Sequence, residues 1–414
     1  MCTKAWKIVH TSWFIAYLCG AIHIHVRMRV EVSVANHPLL TYNYFSFMKL
    51  WGILFLVVPL LGSAYVFWRT WQLLPFCTLA KTVILILMAL ALMLIYVTFS
   101  GSIDKLPMWL ATTVYHVSTS WLIILFYLFM VFLVLDVGRW VHLIPPSFTR
   151  YSVVGTLSVC VFMVGIFVYG YFNYRHKVRV AIDLKTEKQL ERPLKMVMVS
   201  DLHLGYHNRR AELARWVNLM NAEKPDMILI AGDIIDRSMR PLQEERMHEE
   251  FKRLQAPVYA CLGNHEYYSQ YEEALQFYRD AGIHLLIDSV TVVNGIQVVG
   301  RDDRFNVHRK SLPELMQAVD GSRYTILLDH QPFHLDQAEK AGVDFQLSGH
   351  THYGQVWPAS WVEKGIYENA YGPLQKGKTQ YFVTSGLGIW GGKFRIGTQS
   401  EYLVVTLTPT AAVN

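Results

Sequence analysis

From Ser152 to Phe172 the chain runs 21 residues without a charge. Crossing the hydrocarbon core of a bilayer takes roughly 20 apolar residues, and lipid offers no partner to an unpaired peptide group, so such a run must be a helix. Four more segments of this kind precede it, at about Ile8–Val26, Leu50–Trp68, Thr82–Thr98 and Trp121–Leu135. The first holds His10, His23 and His25 in it or at its end. It reads as a span rather than a cleaved leader, because no small-x-small site follows and further spans come after it. Residues 1–174 therefore read as a transmembrane helical region of about five spans.

Beyond Phe172 the character changes. The whole chain is 52% apolar and 17% charged, too apolar for an ordinary soluble protein, and the excess lies in the first 174 residues. Arg175, Lys177, Arg179, Lys185 and Lys188 follow the last span, and residues 175–193 read as a basic linker. Such a cluster favours the cytoplasmic face or contact with anionic headgroups. The net charge of +6 is modest, and no Lys/Arg run is interleaved with aromatics, which excludes a nucleic-acid surface. Only Cys261 lies in the globular part, so that part can hold neither a disulfide framework nor a CxxC zinc site.

From residue 194 short apolar runs alternate with helical spacing. Lys195–Ser200, Met227–Ala231 and Val258–Leu262 read as buried strands. Between the first two, Leu213, Trp216, Val217 and Met220 share one helical face over Arg210–Ala222. Tyr271–Ala281 is again helical. This is the alternation of parallel βαβ units. The later part is richer in strand: a hairpin turning at Asn294-Gly295, then Tyr324–Leu328, Phe345–Ser348, Tyr381–Thr384 and Leu403–Leu407. Two sheets packed face to face with helices outside account for this pattern.

The chemistry follows the strands. Asp201-Leu202-His203, Gly232-Asp233, Gly263-Asn264-His265-Glu266, Asp329-His330 and Gly349-His350-Thr351-His352 each come directly after an apolar run. In α/β sheets ligands bind beyond the carboxyl ends of strands, so these short loops converge. Gly232, Gly263 and Gly349 let the backbone approach closely. Together the fragments supply two Asp, one Asn and several His. Such donors suit a pair of divalent ions roughly 3.5–4 Å apart, the arrangement that clamps both oxygens of a phosphoryl transfer. Mixed nitrogen and oxygen donors favour manganese, iron or zinc over calcium. One fragment alone carries little weight; five in order carry a great deal.

This series resembles the calcineurin-like metallophosphoesterases over about Leu194–Leu407. Ser200-Asp-Leu-His-Leu-Gly205, His350-Thr-His-Tyr-Gly-Gln355 and Ser385-Gly-Leu-Gly-Ile-Trp-Gly391 make it most similar to their bacterial membrane-linked branch. The resemblance implies a four-layer αββα sandwich over residues 194–414. It implies one metal on Asp201, His203 and His352, a second on Asn264, His330 and His350, and Asp233 bridging both. His265 would contact the phosphate and protonate the leaving oxygen, and a metal-bridging hydroxide would be the nucleophile. One departure is Tyr353, which stands where the family often has glycine.

The function expected is that of a membrane-anchored dimetal phosphoesterase acting on a phosphate ester or pyrophosphate. The membrane region points to a lipid-linked substrate, such as a UDP-diacylglucosamine-type lipid A precursor. The alternatives are a phosphatase on nucleotides or phosphoproteins, and a non-catalytic membrane scaffold or transporter. The full ligand set counts against the scaffold, and spans without paired charges count against the transporter. The ions expected are two divalent metals, manganese first, with iron and zinc as alternatives. Membrane lipid and a phosphorylated substrate are the expected partners, and a bacterial inner membrane the expected location. An odd number of spans with this distribution of basic residues tips the catalytic part toward the cytoplasm. On the substrate side the candidates are His207, Asn208, Arg209, Tyr267, Tyr268, Arg301 and Tyr353. Arg395 reads as a surface ion pair or a substrate contact, and Trp357, Trp361, Ile389 and Trp390 as an apolar rim that meets lipid.

Overall fold

The computed structural model describes residues 57–410. The first predicted span and the start of the second lie outside them. Residues 57–73 are helical, and three further helices follow at Thr78–Phe99, Met108–Trp140 and Val153–Arg175. The last three are long and apolar enough to cross a membrane. The third predicted span lies within Thr78–Phe99, and the fourth extends to a 33-residue helix. That extension carries Asp136 inside a helix rather than at its edge. There it meets Arg69 at 2.9 Å and accepts from Tyr65 Oη at 2.6 Å. Arg69 is only 1% exposed. The expectation of helices without paired charges does not hold for this pair, because a buried guanidinium needs a carboxylate opposite it. The chain forms two compact units that divide between Gly165 and Ile166, inside the last apolar helix.

The predicted linker is a correction. Lys177–Thr186 is a ten-residue strand, β1, paired in parallel with the last strand, β12 (Ser400–Pro409). Val178, Val180, Ile182 and Leu184 alternate with Arg179, Ala181, Asp183 and Lys185. Alternation of period two puts the apolar set on one face of the sheet. The charges on the exposed face of this edge strand hid the pattern.

β2 (Leu194–Val199), β3 (Met227–Ala231), β4 (Val258–Cys261) and β5 (His284–Leu285) complete the first sheet, in the order β1-β12-β2-β3-β4-β5. The second sheet runs β10-β11-β9-β8-β7-β6. Its strands are β6 (Ser289–Val293), β7 (Ile296–Gly300), β8 (Thr325–Leu328), β9 (Phe345–Ser348), β10 (Gly372–Lys376) and β11 (Thr379–Val383). The turn at Asn294-Gly295 joins β6 to β7 as expected.

Successive side chains of β2 divide the core. Met196 and Met198 share one cluster with Ile296, Val298, Ile326, Leu328 and Leu347 of the second sheet. Val197 and Val199 face outward onto Leu213, Trp216, Val217 and Met220 of the helix Arg210–Ala222. On the far side Val299, Leu327 and Tyr381 pack beneath Leu312, Leu315 and Leu335. Helix, sheet, sheet and helix make four layers. The continuous apolar run of β2 is explained, since both of its faces are buried.

Candidate metal centre

β2, β3 and β4 are parallel neighbours, as are β7, β8 and β9. Their carboxyl ends lie side by side, and the loops that leave them carry the five fragments. Backbone bonds knit the loops together: Asp201 N donates to Gly232 O at 3.1 Å and His203 N to Asp233 O at 3.0 Å.

Two donor triads result. Asp201, His203 and His352 present ligand atoms within 4.8 Å of one another, and so do Asp233, His330 and His350. In the first, His203 Nε2 faces His352 Nε2 at 2.9 Å, and Asp201 Oδ1 is 3.4 Å from His352 Nε2. In the second, Asp233 Oδ2 is 3.1 Å from His330 Nε2. The same Asp233 oxygen is 3.7 Å from His203 Nε2, so this carboxylate reaches both triads.

The donors fit a pair of divalent ions. His330 Nδ1 donates to Ala231 O at 2.7 Å, which fixes Nε2 as the lone-pair nitrogen. His330 Nε2 and Asn264 Oδ1 are buried without a hydrogen-bond partner. Leaving such an atom unpaired costs about 1–3 kcal/mol. Nitrogen and oxygen donors that converge in this way around Asp233 fit a cation between them. Burial, with His330 alongside, pushes the His350 imidazole down to about 3, which keeps it in the neutral form a metal requires. Burial works to raise the Asp201 carboxyl, but His352 and His203 more than reverse it, and the carboxyl stays well below its ordinary range.

The backbone is bent to hold these donors. Asp201, His203, Asp233, His350 and His352 all have φ between 46° and 72°, a region that costs a non-glycine residue about 1–2 kcal/mol. Strain of this kind concentrates at functional sites. Close approach explains two glycines: a Cβ on Gly263 would collide with Asp233 Oδ1, and one on Gly349 would collide with Asp201 Oδ2.

Three supporting residues were not legible in these roles. Asp236 joins His203 and His265 in a third cluster. Its Oδ1 is 3.5 Å from His203 Nδ1 and 3.4 Å from His265 Nδ1, while its carbonyl takes the His265 Nδ1 proton at 2.7 Å. The available signal was a second aspartate three residues after Asp233, across two buried isoleucines. Glu266 accepts from the backbone N–H groups of Asp233, Ile234, Ile235 and Gly263 at 2.7–3.2 Å, and so locks the β3 loop to the β4 loop. Arg395 is buried, not a surface ion pair. Its guanidinium donates to His352 O at 2.6 Å and to Ser385 O, holding a donor's backbone in place.

The substrate-side candidates divide. Tyr353 follows His352 directly, with its ring stacked on Tyr371 at 4.6 Å. Tyr267 donates to Asp302 at 2.7 Å and stacks on Tyr271, while the Tyr268 ring lies 5.3 Å from that of His265. His207 is buried with Nε2 2.5 Å from Ile389 O, and Asn208 donates to Leu202 O and Ile389 O. Arg209 pairs with Glu245, and Arg301 pairs with Asp329 at 3.2 Å. Each of these four is engaged by another part of the chain. Of the apolar rim, Trp357 and Trp361 are exposed, whereas Ile389 is fully buried.

The sequence pattern of the calcineurin-like phosphoesterases matches residues 194–354. An uncharacterised metallophosphoesterase of Campylobacter jejuni is 32% identical over 225 residues, covering 53% of this chain and 60% of that protein. A second, from Aquifex aeolicus, is 31% identical over 225 residues, covering 52% of this chain and 85% of that protein. A Danio rerio protein described as a transmembrane protein with metallophosphoesterase domain is 28% identical over 385 residues, 84% of this chain and 86% of its own length. The matches to the Campylobacter protein and its Helicobacter pylori counterparts span about 60% of those proteins. With two donor triads meeting at Asp233 and the family pattern running through the loops that build them, the chain belongs to the calcineurin-like metallophosphoesterase family.

Proposed function

We propose that this protein is a membrane-bound, metal-dependent phosphoesterase whose substrate is a phosphate ester or pyrophosphate carried on a lipid. The observation that carries the reaction is the meeting of two donor triads on Asp233 with His265 beside them. Asp201, His203 and His352 hold one ion in this reading, Asn264, His330 and His350 the other, and Asp233 both. The ions are manganese first, with iron and zinc as alternatives. When bound, they neutralise phosphate charge and acidify water. His265 spends its Nδ1 proton on Asp236 O. Its Nε2 is then the nitrogen that delivers a proton to the leaving oxygen.

The lipid half of the reading rests on the helix Ala359–Ile366. Tyr367, at its end, packs its ring 6.2 Å from that of His350. Trp361 and Val362 are 64% and 62% exposed, and Trp357 is 45% exposed. Trp357 N donates to Ile396 O at 2.7 Å, and Ile396 touches Gly170, in the last turns of the helix Val153–Arg175. An exposed apolar face that joins a donor histidine to the end of a membrane-length helix suits a lipid surface. The basic cluster after that helix favours the cytoplasmic face. Relatives in bacteria and a vertebrate carry no assignment to a bacterial inner membrane.

The test uses the full chain in detergent or vesicles after manganese loading. Metal analysis should find two ions per chain. A lipid pyrophosphate, such as a UDP-diacylglucosamine-type lipid, should be hydrolysed in preference to nucleotides and phosphopeptides. One ion or none in folded protein would overturn the dimetal reading, and a preference for the soluble esters would overturn the lipid reading.

A further inference from the structure

The loop Arg301–Lys310 leaves the carboxyl end of β7 beside the loop that carries His330, and three arginines lie in it. Arg301 and Arg309 share the carboxylate of Asp329, each at 3.2 Å. Arg304 joins neither of them. Its guanidinium carbon lies 4.1 Å over the ring of Phe333, three residues beyond His330. Its Nη1 is buried and has no hydrogen-bond partner. The nearby acidic groups are committed elsewhere: Asp302 accepts from Tyr267 and Asn306, and Asp303 accepts from Gln331.

Phe333 packs on Tyr367 with ring centroids 4.7 Å apart, and Tyr367 packs on His350. Arg304 therefore stands on an aromatic floor that is one ring removed from a donor of the second triad. A cation in that place is costly for the protein without an anion, and an aromatic face offsets only part of the lost hydration. Burial lowers its proton affinity, yet an arginine remains charged at any physiological pH.

We propose that Arg304 binds an anionic group of the substrate next to the reacting phosphoryl, the second phosphate of a pyrophosphate-type ester. This inference rests on the phosphoesterase reading. The reacting phosphoryl belongs at Asp233, between the triads, and Arg304 stands on the His350 side of it, behind the rings of Tyr367 and Phe333. The planar guanidinium suits a phosphate with two oxygens turned toward it. A monophosphate has no group to place there.

The experiment uses the full chain in detergent with manganese, as wild type, Arg304→Gln, Arg304→Lys and Arg304→Ala. Hydrolysis of an aryl monophosphate is compared with that of a nucleoside diphosphate ester, and inorganic pyrophosphate and phosphate affinities are measured by calorimetry. R304Q and R304A should raise KM for the diphosphate ester and weaken pyrophosphate about 10- to 100-fold, the range of one charged hydrogen bond. KM for the aryl phosphate, phosphate affinity and metal content should stay within about two-fold. R304K should recover part of the loss. The ligand-free R304Q chain should melt no lower than wild type, since it loses a half-buried charge whose Nη1 has no hydrogen-bond partner. A lower melting temperature, equal losses on both substrates or an unchanged pyrophosphate affinity would overturn the assignment. Failure of the wild type to hydrolyse either ester would overturn the phosphoesterase reading, and the calorimetric comparison would still decide the role of Arg304.

Discussion

His265 and Asn264 are adjacent in sequence but answer to different partners. Asn264 leaves Oδ1 unpaired in the cleft, while His265 N donates to Asp233 Oδ1 at 2.9 Å and its ring is tied to Asp236. In the proposed reading His265 moves a proton, and the two donor triads hold the ions without it. His265→Ala should retain both ions and lose about 10²–10⁴-fold in turnover on an alkyl phosphate. The loss should shrink on a nitrophenyl ester, whose leaving oxygen needs no proton. Equal losses on the two esters, read from kcat, would assign His265 another task. The donors themselves were legible because each follows a strand, and strand ends are visible as the close of an apolar run. Their supports were not. Arg301 and Arg395 differ little in sequence context, yet one meets Asp329, 28 residues away, and the other the backbone of His352, 43 residues away. Such pairings are set by the sheet order, which the local sequence does not carry.

At the scale of elements, Glu223 shows how the misread edge strand is attached. It closes the helix Arg210–Ala222, accepts from Arg179 of β1 at 2.7 Å and lies 3.0 Å from Lys195 of β2. The Arg179 hydrogen bond, aided by Lys195, pulls the Glu223 carboxyl down to about 2. A depressed folded value means that the unfolded chain takes up the proton first. The stabilisation is then complete above the ordinary glutamate value of roughly 4.3 and fades as pH falls toward 2. The difference in unfolding free energy between wild type and Glu223→Gln should therefore shrink from pH 6 to about pH 2.5 in urea titrations. A difference that is flat with pH would show that the pairs contribute nothing. The exposed helix Ala359–Ile366 has its own test. Trp361→Glu should lower the rate on vesicle-borne substrate several-fold and leave the aryl phosphate rate unchanged, because the change adds a charge to the face proposed to meet lipid. Equal rates on vesicles would remove the lipid contact.

For the whole molecule, the question is where the catalytic unit begins. An apolar run marks a membrane helix but not the point at which that helix becomes part of another core, so the sequence points to residue 174 and the compact unit begins at Ile166. Between those positions the helix is tied into the site's supports. Gly170 O accepts from Arg395 N at 3.0 Å, and Asn173 Nδ2 donates to Arg395 O at 2.9 Å and Thr398 O at 2.8 Å. Tyr174 is fully buried, and its Oη donates to Asn208 Oδ1 at 2.8 Å. Arg395 in turn holds His352. Two truncations in detergent separate an anchor from a structural part. A chain starting at residue 166 should fold and hold two ions with the affinity of the full protein. One starting at residue 175 loses Asn173 and the Tyr174 ring, a large buried side chain whose removal alone costs about 3–5 kcal/mol in other cores. It should melt well below the longer fragment, and its weaker ion should be bound more loosely because the backbone of His352 is no longer held through Arg395. Equal melting temperatures and equal metal affinities for the two fragments would reduce residues 166–174 to a tether, and the last helix would then serve only to keep the domain at the membrane.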